Sequence, residues 1–99
     1  MAKTIQLRRY QIEPGRLEEF RTWLNLEVLP IRRQFGFEVE FMYVDNKNSE
    51  FIWAVSVQGS QDDFLELENR YDVSEERVIA GAKKPDCLMS VDVRLVQEN

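Results

Sequence analysis

Four runs of alternating apolar and polar residues constrain this chain more than anything else in it. They are Ile5 and Leu7; Phe37, Val39, Phe41 and Tyr43; Phe51, Trp53, Val55 and Val57; and Met89, Val91, Val93 and Leu95. The positions between them are largely polar: Gln6, Arg8 and Tyr10; Glu38 and Glu40; Ser56 and Gln58; Ser90, Asp92 and Arg94. A period of two with one apolar face is the mark of an antiparallel sheet covered on one side. The apolar set is expected under a layer of helices. The polar set is then left to water, to a ligand or to a second subunit. A slip of one residue in any strand would exchange its two sets.

Between the strands the period changes. Leu17, Phe20, Leu24, Val28, Ile31 and Phe35 recur at spacings of three and four, which predicts a helix over about 16–35. Pro14 and Gly15 precede it and Gly36 stands where a left-handed C-cap belongs. Pro30 lies inside the helix and is expected to kink it near Leu26 to Leu29. Ser60, with Asp63 three residues on, reads as a capping box opening a second helix over about 61–71. Phe64, Leu67 and Tyr71 form its inner stripe, and Ser74-Glu75-Glu76 starts a further short helical segment. Asn46 to Ser49 reads as a hairpin loop. The order strand, helix, strand, strand, helix, strand is the split βαβ arrangement. Right-handed crossovers put both helices on one face of a four-stranded antiparallel sheet. The expected fold is α+β, ferredoxin-like, with residues 1–99 as one domain.

Composition narrows the function. The chain has 99 residues, 43% of them hydrophobic, and a net charge of −5. An acidic balance argues against nucleic acid and anionic membranes, which need basic patches. No apolar run approaches the roughly 20 residues that span a bilayer. The single Cys87 has no partner for an internal bridge, so a reducing, cytoplasmic compartment is expected. Histidine is absent, so His-ligated zinc or haem and Ser-His or Cys-His catalysis have no residues to work with. No metal and no cofactor are expected.

Several stretches carry a family resemblance: RRYQIEPGRLEEF (8–20), VLPIRRQFGF (28–37), FIWAV (51–55) and SEER (74–77). The Y-x-I-x-P-G-x-L-x-E-F run into the first helix and the V-x-P-x(5)-G segment after it are the most telling. Together they resemble the NIPSNAP family of the dimeric α/β barrel superfamily. That resemblance implies a homodimer in which two ferredoxin-like subunits pair their open sheet faces. It implies a binding or accessory role of undefined biochemistry, with room for a small-molecule pocket. Superfamily relatives imply the rival: a cofactor-independent monooxygenase or isomerase acting on a small aromatic or carbonyl compound. The chain departs from the pattern of the haem-degrading relatives because it has no axial histidine.

Three groups of side chains are candidates for function. The polar strand face supplies the ligand-pocket set Arg8, Tyr10, Glu40, Ser56, Asp92 and Arg94, where acids and bases stand together. Tyr10, Glu40 and Trp53 are the weak catalytic candidates, with Glu40 as base. Tyr43 and Trp53, on the apolar face, are either core or the aromatic walls of a cleft between sheet and helices. Trp23, Leu26 and Pro30 lie off the main helical stripe and form a partner-contact patch, unless the kink tucks them into the core. Arg32 and Arg33 oppose the negative end of the helix dipole, with an anion-binding role as the alternative, and Cys87 reads as structural.

Overall fold

The computed structural model describes residues 2–98. Strand β1 (Lys3–Ile12) leads to helix α1 (Leu17–Trp23), a π-helical turn (Leu24–Val28) and helix α2 (Leu29–Phe35). Strands β2 (Glu38–Asp45) and β3 (Glu50–Gln58) form the hairpin. Helices α3 (Gln61–Asp72) and α4 (Glu75–Ala82) follow, and β4 (Leu88–Gln97) closes the sheet. The strand order is β2-β3-β1-β4 and every pairing is antiparallel. This is the expected ferredoxin-like α+β topology.

Local signals explain most boundaries. Gly36 ends α2 at φ 107°, a left-handed position that a side chain would strain. Ser60 Oγ accepts from the Asp63 amide while the Asp63 carboxylate accepts from the Ser60 amide, so the capping box opens α3. Gly59 has to be small there: at φ 135° an added Cβ would lie 2.5 Å from Asp63 Oδ2. Ser74 caps α4 by accepting from the Arg77 amide. Pro30 does more than kink. It has no N–H, and its ring crowds the carbonyl four residues back. The helix answers by widening, so that the Leu29 amide bonds the Leu24 carbonyl five residues earlier.

The core lies between the helices and one sheet face, with Phe20, Phe51, Trp53, Val55, Phe64 and Tyr71 almost wholly buried. Strand β3 presents the expected face. Strand β4 turns Val91, Val93 and Leu95 to the same side, beside Tyr10, Arg8 and Gln6, but at the sheet edge the helices leave Val91 51% and Val93 41% exposed. A bulge at Gln11/Ile12 brings Leu88 rather than Met89 inward.

Two strands correct the expectation. In β1 the register sets Gln6, Arg8 and Tyr10 opposite Val55, Trp53 and Phe51, so this set faces the helices. Tyr10 is 5% exposed and Gln6 6%. Ile5 and Leu7 take the open face, half-buried. The polar side chains can lie under the helices because they satisfy one another: Arg8 donates to Tyr10 Oη and to Gln6 Oε1. In β2 a bulge falls between Val39 and Phe41. It takes up Glu40 as an extra residue and reverses the alternation beyond it. Val39, Met42 and Val44 pack on the core, while Phe41 and Tyr43 move to the open face. There the two rings stack at 5.1 Å, and Tyr43 is 63% exposed.

Candidate functional site

The two tryptophans of the chain meet in one cleft between sheet and helices. Its volume is about 130 Å³. β1 contributes Arg8 and Tyr10, and β3 contributes Trp53. The first helical arm gives Phe20, Trp23, Leu24, Val28 and Arg32. Tyr71 and Asp72 end α3, Arg77 belongs to α4, and Lys84 follows it. The π turn shapes this wall, because Leu24 and Val28 are the residues it presents to the cleft.

Polar geometry is tight on the inner side. Trp53 Nε1 donates to Tyr10 Oη at 3.0 Å, and Arg8 Nε donates to the same oxygen. A phenol oxygen accepts two hydrogen bonds and donates one. Both acceptor positions of Tyr10 are filled, so its O–H is the group left to donate. Arg32, 3% exposed, holds Glu68 through two nitrogens at 2.8 and 3.2 Å. Its guanidinium also lies 4.0 Å from the Tyr71 ring centroid and 4.7 Å from that of Phe37. Trp23 Nε1 donates to the Ala80 carbonyl at 2.9 Å, which ties α1 to α4.

At the rim the charges are displaced from their ordinary behaviour. Burial, seconded by the Glu68 carboxylate, pushes the Asp72 carboxyl up. Burial, seconded by Arg77, pulls the Lys84 ammonium down. Burial also raises the Tyr71 phenol and the Cys87 thiol. Cys87 is free and buried outside the cleft, in accord with its structural reading.

The structure divides the residues singled out in the sequence. Arg8, Tyr10 and Trp53 come together in the cleft. Trp23 joins them there, 7% exposed, while Leu26 is 70% exposed and Pro30 is exposed on the outer side of the same arm. Glu40, Ser56, Asp92 and Arg94 lie on the opposite sheet face. Glu40 is therefore not available as a base for Tyr10 and Trp53. It accepts from Ser56 Oγ at 2.5 Å and pairs with Lys3 at 3.2 Å. Asp92 and Arg94 pair with each other at 2.9 Å. The carboxylate at the cleft is Asp72, which sequence reading passed over, as it passed over Glu68, Tyr71 as a polar group, and Arg77. Arg32 reads in the sequence as opposing the helix dipole, with anion binding as the alternative. The 3–4 stripe puts Ile31 inward; after the π-helical turn it is Leu29 and Arg32 that are buried.

The Ser56 bond, ahead of Lys3, holds the Glu40 carboxyl below its ordinary value of 4.5. A carboxyl with a lowered folded value contributes stability above the unfolded value and loses it as pH falls through the folded one. Ser56→Ala should raise the Glu40 value and move the acid-unfolding midpoint to higher pH, by a fraction of a unit. Carbon-detected NMR titration of the Glu40 carboxyl checks this. An unchanged value would show that the Ser56 hydroxyl does not hold the carboxylate.

The chain matches no protein-family model and no curated protein. Solved structures are similar throughout its length. An uncharacterized NIPSNAP domain protein from Burkholderia xenovorans superposes with a TM-score of 0.82 at 13% identity, over 94% of this chain and 91% of that one. A NIPSNAP family protein of unknown function from Agrobacterium tumefaciens gives 0.83 at 15%, over 97% and 87%. The chain has the fold of NIPSNAP proteins. A putative antibiotic biosynthesis monooxygenase from Nitrosomonas europaea also shares the fold, with a TM-score of 0.74 at 6% identity over 97% and 89%. At these identities the likeness speaks for the ferredoxin-like architecture. What the cleft does has to come from its own residues.

Proposed function

We propose that this chain is a single-domain, cytoplasmic homodimer that binds a small molecule between its sheet and its helices. The observation that carries this reading is the cleft itself. Phe20, Trp23, Trp53 and Tyr71 wall a space of about 130 Å³ into which basic and phenolic groups converge. A cavity of about 150 Å³ takes a benzene-sized molecule. The space therefore suits one ring or a short unsaturated chain. Both tryptophans line it, so occupancy has a built-in reporter. Single-ring fragments at millimolar concentration should change the intrinsic fluorescence, and native mass spectra of freshly purified protein should show a dimer. A fragment panel that leaves both indoles undisturbed would sink the binding role.

The homodimer is supported by the open sheet face. Ile5, Leu7, Phe41, Tyr43, Ile52, Ala54 and Val96 form one apolar area there, with no second layer among the described residues. No helix among the described residues is long and apolar enough to cross a membrane.

One observation favours the enzymatic alternative, a cofactor-independent monooxygenase or isomerase of a small aromatic or carbonyl compound. The cleft holds a proton donor, Tyr10, and at its rim a carboxyl whose proton affinity is raised, Asp72. Proton transfer needs such a pair. On that reading Asp72→Asn should cut turnover at least a hundredfold while fragment quenching persists. Unchanged turnover would remove Asp72 from the chemistry.

A further inference from the structure

We infer that the ligand of the cleft is a compact planar oxyanion, a carboxylate or enolate carried on a single ring or a short conjugated chain. This rests on the cleft being the binding site. Three independent features of its lining carry the inference.

Charge comes first. Arg8, Arg32, Arg77 and Lys84 all line the cleft, in a chain whose net charge is −5. Among the described residues, Asp72 is the one acidic residue in the lining. Glu68 is occupied by both terminal nitrogens of Arg32 and comes no closer to Arg8 than 3.9 Å. Arg8 is otherwise bonded to the neutral Tyr10 and Gln6. Basic charge is thus concentrated and incompletely neutralised at this place. A cationic ligand would meet that field with the wrong sign, whatever the aromatic walls offered it.

Hydrogen-bonding sense comes second. Tyr71 Oη and Arg32 Nε are buried and have no hydrogen-bond partner among the described residues, and both residues line the cleft. Tyr71 is 1% exposed. Tyr10 has its acceptor capacity filled and its O–H left over. Arg32 Nε and the Tyr10 O–H can only donate, and the Tyr71 hydroxyl, able to donate as well as accept, adds a third donor. Buried donors without acceptors are costly, and a neutral hydrocarbon would leave them so. A ligand that supplies two acceptor oxygens satisfies them, and an ionised one does so most strongly.

Shape comes third. The walls are flat rings and the volume admits little more than one ring. An anion without an apolar body, such as inorganic phosphate, would leave Trp23, Trp53 and Phe20 unused.

The test compares isosteric probes on the intact protein by tryptophan fluorescence: benzoate, benzyl alcohol and benzylammonium. Benzoate should bind at least tenfold more tightly than benzyl alcohol, and benzylammonium should not bind measurably. Tyr71→Phe should leave the melting temperature level or raised, because the hydroxyl it removes has no partner. It should weaken benzoate several-fold and leave benzyl alcohol unchanged. Arg8→Met should collapse the preference for benzoate. Equal affinity for benzoate and benzyl alcohol in the wild-type protein would overturn the oxyanion assignment while leaving a ligand cleft standing. So would a Tyr71→Phe protein of lowered melting temperature and unaltered benzoate affinity. Silence from all three probes would overturn the cleft reading beneath it.

Discussion

Arg32→Met should lower unfolding stability by about 3 kcal/mol, the low end of the range for removing one partner of a buried ion pair. In a domain of this size that is roughly 12 °C in Tm. Arg32 and Glu68 join α2 to α3 with side chains 3% and 14% exposed. Taking away the guanidinium strands the carboxylate beneath the helices and also removes the cation stacked on Tyr71 and Phe37. Arg8, 3.9 Å from Glu68, softens the loss without replacing a two-pronged contact. Arg32→Lys should recover little, because an ammonium has neither the fork nor the flat face. The double replacement Arg32→Met with Glu68→Met should recover more than half of the single loss, since no unpaired charge remains. A double-mutant cycle by urea denaturation measures this coupling. A single loss below about 1 kcal/mol, or a double variant no better than the single one, would show that the pair does not organise the helix junction.

The same residue shows where sequence reading stopped. The element order, the helix caps at Ser60, Ser74 and Gly36, and the disturbance before Pro30 were all legible, because each depends on local chemistry within a few residues. The face of β3 was legible because an apolar strip there runs unbroken, and that of β4 was legible from Val91 on, the bulge having displaced Met89. The face of β1 was not. Both of its sides carry apolar residues, and the burial of Arg8 and Gln6 depends on a network reaching Tyr10 and Trp53, which alternation cannot display. In β2 one extra residue at Glu40 inverted Phe41 and Tyr43, and nothing in the spacing marks a bulge. The cleft was half-legible: Arg8, Tyr10 and Trp53 were singled out, with Arg8 and Tyr10 assigned to the wrong side of the sheet. Tyr71 and Asp72 were missed because they reach the cleft through the α3–α4 corner. Glu68 was missed because its role is fixed by a partner 36 positions away.

The inverted strands bear on assembly, where the second large effect is expected. If the proposed homodimer pairs its open sheet faces, Leu7→Glu should convert it to a monomer with an unchanged far-ultraviolet CD spectrum. With Ile5, Leu7, Phe41, Tyr43 and Ile52 outward, the open face is apolar at its centre. The pairs Lys3–Glu40, Arg9–Glu50 and Asp92–Arg94 lie on the same face. An apolar middle with ion pairs around it is how subunit interfaces are built. Leu7 sits on one of the two central strands, opposite Ala54 on one side and Arg94 on the other. Its side chain is half-buried already, so a carboxylate there can reach solvent in the monomer but not in the pair. A two-fold interface doubles the penalty. At about 2 kcal/mol for each stranded carboxylate, the dimer weakens by about 4 kcal/mol, roughly a thousandfold in Kd. Leu26→Glu is the control: Leu26 is 70% exposed on the helical arm, away from the open face. It should leave the native mass at that of a dimer. If Leu26→Glu dissociates the protein and Leu7→Glu does not, the subunits meet through their helices, and the partner-contact role passes to the arm that carries Trp23 and Pro30.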